Sequence, residues 1–317
     1  MHPSIGFLIV GTPRSGTTLV QRLACELPGV RIPPETHFFE EFVEDLLQRR
    51  AFPLDAAEVR EELRIFLGRG NARGLELDED EVVRALGGEC RQALGLFAAL
   101  VQCLAGPAQL YGEKTPAHLR WWCPLTRALP ELKLLWVVRD PRAVVASTLQ
   151  VPWAVQDPAA LAEEWNLDHE ELREASHCLA PHRLLILRYE DLVADPAAAR
   201  RRIADFLGVA EQPQQVRVEQ LFLAWETWKS RVTEPITRDR IGAWRQALTY
   251  SQTTQIAAVC AGGMEELGYL RGRETVLARV RRLALRPRHW RSRWTVRWRR
   301  RRERRRVRRM GLLLAGR

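Results

Sequence analysis

The sequence predicts an α/β fold in which a central parallel sheet is flanked by helices, and three observations lead to it. Short apolar runs alternate with stretches whose apolar residues recur at helical spacing. Each apolar run is followed at once by a cluster of polar residues, at the sheet edge where ligands bind in such folds. A glycine-rich loop joins the first predicted strand to the first predicted helix. A helical insert and a basic C-terminal extension complete the predicted fold class.

The first strand, Ile5 to Val10, is apolar on both faces, as expected for a central strand of a parallel sheet. The following loop has the frame of a phosphate-binding P-loop, G-x-x-x-x-G-K-[ST], and reads Gly11-Thr12-Pro13-Arg14-Ser15-Gly16-Thr17-Thr18. Apolar residues then recur at helical spacing as far as Leu27. Strand, loop and helix in this order are the context that a P-loop requires.

Thr17 stands where a P-loop normally has its lysine. That lysine reaches the β- and γ-phosphates of a nucleoside triphosphate, so its loss disfavours ordinary ATP or GTP hydrolysis. What remains is a cradle of backbone N–H groups at a helix N-terminus, which suits a 5′-phosphate, and Arg14 adds a cation within the loop. The loop therefore predicts a nucleotide site that is not an ordinary NTPase site.

The same pattern of apolar runs predicts the remaining elements. Further strands are expected at 30–32, 132–138 and 183–187, and 110–116 is expected to be a strand end that leads into a helix starting at Pro116. Helices are expected over most of 36–105, from 141 to 149, at 158–179 and from 189 to 207. The helices in 36–105 form the predicted insert. Because the sheet is parallel, the polar clusters that follow its strands should meet at one edge.

Charge is distributed unevenly along the 317 residues. The chain carries a formal +10, yet residues 271–317 contain twenty arginines and two acidic residues and so carry +18, which leaves −8 for residues 1–270. We therefore predict a P-loop α/β domain over 1–270 and an arginine- and tryptophan-rich tail over 271–317. Lysine occurs only at Lys114, Lys133 and Lys229, so each lysine is informative.

No apolar stretch reaches the roughly 18 residues that a membrane-spanning helix needs, and no signal peptide is expected. The six cysteines have no C-x-x-C spacing, which favours reduced thiols in a cytoplasmic protein and disfavours a metal site. In the tail, Trp290, Trp294 and Trp298 align on one helical face among arginines. Three interpretations of the tail stay open: a helix that lies on an anionic membrane surface, a segment that binds a polyanion, and a disordered extension. No specific nucleic acid is predicted as a partner.

Four motifs in chain order resemble those of the sulfotransferases that use 3′-phosphoadenosine 5′-phosphosulfate (PAPS) as donor. They are Pro13-Arg14-Ser15-Gly16-Thr17-Thr18, Val138-Arg139-Asp140-Pro141-Arg142 with Ser147 after it, Arg188-Tyr189-Glu190-Asp191-Leu192, and Arg240-Ile241-Gly242-Ala243-Trp244. The pattern is most similar to the bacterial and tyrosylprotein-like branch of that family. The matching motifs extend over most of the predicted domain.

The resemblance assigns the donor-binding residues. It places the 5′-phosphosulfate on Arg14, Ser15, Gly16, Thr17 and Thr18, the 3′-phosphate on Arg139, Ser147 and Arg240, and the adenine beside Tyr189. A guanidinium and a hydroxyl can bind a dianionic 3′-phosphate through charge-assisted hydrogen bonds. Alternatively, Arg139 pairs with Asp140, and Tyr189 is a core aromatic residue.

The resemblance also implies three catalytic residues. Glu35 is expected to take the acceptor's proton, Lys114 to stabilise charge on the sulfuryl group, and Arg14 to neutralise the leaving phosphate. His37 and Glu113 are rival bases. The alternatives without catalysis are that Glu35 begins a helix and that Lys114 belongs to a surface ion pair.

Together these features predict a cytoplasmic, metal-independent enzyme that moves a sulfuryl group from PAPS to a hydroxyl acceptor. A small molecule, a glycan, a lipid and a peptide tyrosine all remain open as acceptors, and the tail allows a peripheral position at a membrane. A second hypothesis is a P-loop kinase that uses ATP, with Asp140 available for Mg²⁺ but no loop lysine. A third is a nucleotide-binding module that associates with a membrane or a polyanion.

Overall fold

The computed structural model describes residues 4–283 and 287–314, apart from the side chains of 282, 283, 287–290 and 312. Its centre is a five-stranded parallel sheet, and a separate antiparallel pair of strands lies in the insert. The strands are β1 (Phe7–Gly11), β2 (Val30–Arg31), β3 (Leu54–Asp55), β4 (Glu89–Cys90), β5 (Leu110–Lys114), β6 (Lys133–Val138) and β7 (Leu184–Arg188). The main sheet has the order β2-β5-β1-β6-β7, and β3 pairs with β4.

Helices connect the strands and cover both faces of the sheet. They are α1 (Thr17–Cys25), α2 (Phe38–Glu41), α3 (Val43–Arg49), α4 (Ala56–Leu67), α5 (Glu79–Ala85), α6 (Ala93–Ala105), α7 (Trp122–Ala128), α8 (Pro141–Thr148), α9 (Pro158–Cys178), α10 (Tyr189–Ala194), α11 (Pro196–Leu207), α12 (Trp244–Ala247), α13 (Tyr250–Glu266), α14 (Arg273–Leu283) and α15 (Pro287–Leu314). Short 3₁₀ helices occur at Pro116–Trp121, Pro181–Arg183, Val218–Leu221 and Thr227–Thr233. The predicted α/β class with a parallel sheet and a helical insert is confirmed.

Alternation along β1 explains why the sheet is buried on both sides. Leu8 and Val10 pack into one core with the insert, whereas Phe7 and Ile9 pack into a second core with α1 and α11. Successive side chains of a strand point to opposite faces, so an apolar run without polar interruption requires cover on both. The covered sheet leaves its carboxyl edge as the place where the loops converge.

The C-terminal segment is helical where it is described, and α15 lies against the acidic helix α9. Val307, Met310 and Leu314 of α15 join the larger hydrophobic core. Arg293 and Arg297 each place Nε 2.5 Å from an oxygen of the fully buried Glu163 carboxylate. The interpretation of the tail as a disordered extension therefore does not hold for this part of the chain.

Further ion pairs follow the same contact. They are Arg299 with Glu164, Arg300 with Asp168, Arg304 with Glu171 and Glu174, and Arg306 with Glu44. The excess negative charge of residues 1–270 and the excess positive charge of 271–317 thus partly neutralise each other within one molecule. The division of the chain after residue 270 stays a prediction.

The outer face of α15 carries Trp294 and Trp298, which are 67% and 49% exposed, while the Trp290 side chain and Ala315 lie outside the described residues. The Arg302 guanidinium lies 4.6 Å from the centre of the Trp298 ring. None of the described helices combines the length and the apolar character needed to cross a bilayer.

Candidate functional site

A cavity of about 1190 Å³ opens at the carboxyl edge of the sheet. Its lining includes a residue from the segment after each of the five strands: Glu35 after β2, Pro116 after β5, Arg14 after β1, Arg139 after β6 and Tyr189 after β7. The predicted polar clusters therefore meet in one place. Ser147, from α8, and Arg240 also line this cavity.

The P-loop wraps tightly between β1 and α1. Gly16 precedes α1 with φ of 100°, and Arg14 has φ of 72°, a left-handed conformation that is uncommon for a residue with a side chain. A Cβ atom on Gly16 would lie 2.5 Å from Cδ2 of Tyr189, so glycine allows this ring to approach the loop. Helix α1 begins at Thr17, so its N-terminus directly follows the loop.

Two arginines lie together beside the P-loop. Arg139 Nη1 donates to the backbone carbonyl of Arg14 at 3.1 Å, and its guanidinium stacks 3.9 Å from the centre of the Tyr189 ring. Arg14 Nε donates to Ser147 Oγ, and Arg14 Nη2 donates to the carbonyl of Trp228, both at 3.2 Å. The strand ends and α8 thus bring together the residues predicted for the two phosphate sites.

Neither guanidinium has a carboxylate partner among the described residues, and the buried Nε of Arg139 has no hydrogen-bond partner there. Burial lowers the pKa of Arg14, and the nearby positive charge of Arg139 lowers it further. Two cations held close together in a partly buried site are unfavourable unless an anion joins them. This part of the cavity is therefore suited to an anionic ligand.

Glu35 forms the centre of a second cluster. Its carboxylate contacts the Lys114 ammonium, Lys229 Nζ at 2.6 Å and His37 Nε2 at 3.1 Å. Lys114 Nζ also reaches Thr18 Oγ1 at 3.4 Å, which links this cluster to the P-loop. Glu35 lies before α2, which begins at Phe38, so the alternative that Glu35 starts a helix is wrong.

The charges of this cluster shift one another's protonation. Burial favours the neutral carboxyl of Glu35, but Lys114, Lys229 and His37 outweigh it and hold the pKa of Glu35 well below its usual value. Burial lowers the pKa of Lys114 to about 8, although Glu35 opposes the shift. The pKa of Lys229 is raised because Glu35 and Glu226 together outweigh its burial. At neutral pH the cluster therefore contains an ionised Glu35 beside two ammonium groups.

Glu113 does not face the cavity. It is fully buried, it accepts hydrogen bonds from Thr36 Oγ1 at 3.0 Å and Thr115 Oγ1 at 2.5 Å, and it contacts His118 Nδ1 at 2.7 Å. Burial lowers the pKa of His118, but Glu113 and Glu40 outweigh it and raise that pKa to about 10. Glu113 therefore lies behind Lys114 and away from the cavity lining, and the alternative of a surface ion pair is wrong, while the choice of base stays a prediction.

The alternative in which Arg139 pairs with Asp140 is wrong. Asp140 pairs with Arg142 at 2.7 Å, and its carboxylate accepts the backbone N–H of Arg142 at the start of α8. Glu190 accepts the backbone N–H of Asp140 at 3.1 Å and the hydroxyl of Tyr269 at 2.8 Å. Asp140 and Glu190 therefore shape the strand end that carries Arg139.

Sequence reasoning missed several cavity residues. Lys229 was noted only as a rare lysine, and that scarcity is the one signal that pointed to it. Trp153, Trp225 and Trp228 also line the cavity, with ring centres 6.3 Å apart for Trp153 and Trp228 and 5.6 Å apart for Trp225 and Trp228. Trp153 and Trp225 lie in turns and Trp228 lies in the short 3₁₀ helix Thr227–Thr233, which the periodicity of strands and α-helices does not describe.

The model of the sulfotransferase family matches residues 6–213. Protein-tyrosine sulfotransferase 2 of Gallus gallus is 27% identical over 249 residues, which cover 74% of this chain and 62% of that protein. The protein-tyrosine sulfotransferase of Drosophila melanogaster is 26% identical over 207 residues, which cover 63% of this chain and 37% of that protein. Carbohydrate sulfotransferase 2 of Homo sapiens is 36% identical over 93 residues, which cover 27% of this chain and 17% of that protein.

The chain thus spans less than two thirds of the length of each of these relatives. The sulfotransferase domain of the Synechococcus PCC 7002 olefin synthase has a TM-score of 0.53 at 21% identity, covering 85% of this chain and 96% of that domain. The sulfotransferase domain of the curacin biosynthetic pathway has a TM-score of 0.52 at 20% identity, and the match covers 81% of this chain and 96% of that domain. These structures share the fold. Because the family model matches most of the chain, this protein belongs to the sulfotransferase family.

Proposed function

We propose that this chain is an enzyme that transfers a sulfuryl group from PAPS to the hydroxyl of an acceptor, with PAP and a sulfate ester as products. The observation that carries the proposal is the pair of guanidinium groups, Arg14 and Arg139, that lie beside a P-loop without a carboxylate partner among the described residues. An anionic nucleotide would supply the missing negative charge. Membership of the sulfotransferase family supports the same donor.

At the donor end, the backbone N–H groups at the start of α1 bind the 5′-phosphosulfate, together with Arg14 and the hydroxyls of Ser15, Thr17 and Thr18. Ser15 Oγ is buried without a partner among the described residues, as expected for a group that awaits a ligand. Arg139, Ser147 and Arg240 bind the 3′-phosphate, and Tyr189 borders the adenine.

At the acceptor end, the acceptor oxygen bonds to sulfur while the bond from sulfur to the bridging phosphate oxygen breaks. The acceptor's proton passes to Glu35, and Arg14 neutralises the phosphate that leaves. Lys114 stands between Thr18 and Glu35, where its ammonium can stabilise the sulfuryl oxygens. As the anionic donor attracts Lys114 and Lys229, their hold on Glu35 weakens and its pKa rises toward that of a useful base.

The kinase alternative is disfavoured by the surroundings of Asp140. That carboxylate is engaged by Arg142 through both of its oxygens, so it is not free for Mg²⁺. Because the P-loop also lacks its lysine, ATP·Mg²⁺ has no cation and no metal ligand in the expected places.

Calorimetry with PAP tests the donor site directly. We expect low-micromolar or tighter binding to the wild type and a loss of at least about tenfold for Arg139→Ala, equal to about 1.4 kcal/mol. Arg201→Ala, which removes an exposed arginine of α11, is the matched control and should bind PAP as the wild type does. Equal affinity in Arg139→Ala, or stronger binding of ATP·Mg²⁺ than of PAP, would overturn the proposal.

We propose further that the acceptor carries its hydroxyl on or beside a ring. Three tryptophans line the cavity, and Trp153 and Trp225 are 52% and 42% exposed, so their rings are accessible to a ligand. Such rings stack on a sugar or on a phenol. The relatives named for protein tyrosine and for carbohydrate suggest the test: a panel of tyrosine peptides and glycans, assayed with Trp228→Ala. Unchanged acceptor KM in that variant would contradict a stacking role.

The outer face of α15 supports a peripheral position on an anionic membrane. Trp294 and Trp298 are exposed there beside arginines that the acids of α9 do not pair, and both residue types favour the headgroup region. The six free cysteines suit the cytoplasm, where thiols stay reduced. Sedimentation with phosphatidylserine vesicles should recover the wild type but not the Trp294→Ala, Trp298→Ala double variant; equal recovery of both would contradict this.

A further inference from the structure

Helix α9 supports the strand end that carries Arg139 from behind. Trp165 Nε1 donates to the carbonyl of Arg139 at 3.1 Å. Three residues later, on the same helical face, lies the buried Asp168. The helix that carries Asp168 therefore also holds the backbone of the loop that presents Arg139.

The C-terminal helix α15 completes this support. The Arg300 guanidinium, which is 7% exposed, pairs with Asp168. Arg300 also contacts Glu303 at 3.4 Å, and Glu303 accepts a hydrogen bond from Arg120 Nη1 at 3.0 Å. Arg120 belongs to the 3₁₀ helix Pro116–Trp121, which follows the strand that ends in Lys114.

A chain of charged contacts thus runs from α15 to two elements that support the cavity. Through Asp168 it reaches helix α9, which holds the Arg139 carbonyl, and through Glu303 and Arg120 it reaches the 3₁₀ helix that follows Lys114. Buried charged groups of this kind hold their geometry only while each is paired, because an unpaired one pays a large desolvation cost.

We propose that Arg300 and Glu303 are positioning residues of the sulfotransferase site: through Asp168 and helix α9 they hold the strand end that carries Arg139, and through Arg120 they hold the Lys114 segment, in place for the donor. The inference rests on the proposed function. It makes part of the arginine-rich tail a component of the site, although these residues lie outside the stretch matched by the family model. Neither side chain touches the donor.

The test compares Arg300→Met and Glu303→Gln with Arg301→Met, a matched control on the exposed face of α15. In the full chain, at a temperature where circular dichroism shows each variant folded, we expect Arg300→Met to weaken PAP binding by roughly 3- to 30-fold, the range for residues that act through others. Glu303→Gln should lower kcat more than it changes PAP affinity, because it acts on the Lys114 segment. Arg301→Met should match the wild type in both.

A double-mutant cycle separates positioning from general stability. Trp165→Phe removes the indole N–H that donates to the Arg139 carbonyl, and Arg300→Lys keeps a charge at low risk of misfolding. We expect the two changes to be non-additive in PAP affinity, since both act on Arg139 through helix α9. Additive effects, or a PAP affinity equal to that of the wild type in both Arg300→Met and Arg300→Lys, would overturn the inference. The proposed function would still hold in that case, as long as the wild type binds PAP. Failure of the wild type to bind PAP would remove the proposed function itself.

Discussion

Two groups of buried or half-buried arginines in this molecule have opposite surroundings. On α15, Arg293 and Arg300 are each held by a buried carboxylate of α9. Beside the P-loop, Arg14 and Arg139 contact a hydroxyl, backbone carbonyls and an aromatic ring, and no carboxylate among the described residues. The same residue type thus stabilises the fold where the chain supplies the counter-charge, and it can bind an anion where the chain does not.

The lysines of the cavity are intermediate between these two groups. Lys114 and Lys229 share the carboxylate of Glu35, and Lys229 pairs with Glu226 as well, so among the described residues Lys114 has only a shared counter-charge. An anionic donor would compete with Glu35 for both, which couples donor binding to the protonation of the proposed base.

Removing the shared carboxylate should have the largest effect. Glu35→Gln is expected to lower kcat by about 10²- to 10⁴-fold, the usual loss for a positioned general base. PAP affinity should stay the same or increase, because Lys114 loses its described ion-pair partner and Lys229 keeps only Glu226. Steady-state kinetics at saturating PAPS and calorimetry with PAP measure the two quantities.

Glu226→Gln is the control for this prediction, since Glu226 pairs with Lys229 and not with Lys114. Its kcat should fall by much less than that of Glu35→Gln. Wild-type turnover in Glu35→Gln would move the base to His37, which is the remaining candidate of the cluster that lines the cavity.

The sheet and the donor loop could be predicted from sequence because both depend on local pattern. An apolar run such as Ile5 to Val10 must be buried on both faces, and the ends of parallel strands must converge. That is why Arg14, Arg139 and Tyr189, assigned from separate motifs, line one cavity. The roles given to these residues stay predictions.

The contact of α15 with α9 could not be predicted in the same way. The charge of the tail is obvious from composition, but the acids that pair with it lie far earlier in the chain, as Glu163 does 130 residues before Arg293. Periodicity gives no information about which face of one helix meets another. Lys229 was missed for a related reason, because it reaches Glu35 from a segment 194 residues away.

A pair of substitutions tests whether the arginines of α15 and those beside the P-loop have different roles. Arg293→Met takes one guanidinium from the fully buried Glu163 and leaves Arg297 as its remaining described ion-pair partner, so we expect a loss of about 2 kcal/mol in the free energy of unfolding. Arg139→Met removes a cation that has no carboxylate partner, so stability should change by less than about 1 kcal/mol while PAP binding falls.

Chemical denaturation followed by circular dichroism gives the stabilities, and calorimetry gives the affinities. The comparison requires opposite results from the two variants: Arg293→Met should keep its affinity for PAP and Arg139→Met should keep its stability. A large loss of stability in Arg139→Met would mean that its ring stacking and backbone contact are structural.

The smallest expected effect is a pH dependence set by Lys114. Its pKa of about 8 in the free protein means that the ammonium is present below that pH and is lost above it, while Glu35 is ionised throughout because its pKa is held far lower. If Lys114 stabilises the sulfuryl group as a cation, kcat/KM for PAPS should be flat below about pH 8 and fall about tenfold per pH unit above it. The profile of kcat should fall at a higher pH, because the bound anionic donor favours the protonated lysine.

Lys114→Arg keeps its charge over this range, so its kcat/KM should lose the alkaline decline even if its absolute value is lower. An identical alkaline limb in the wild type and in Lys114→Arg would show that another group causes it, and would place Lys114 with the arginines of α15 as a structural cation.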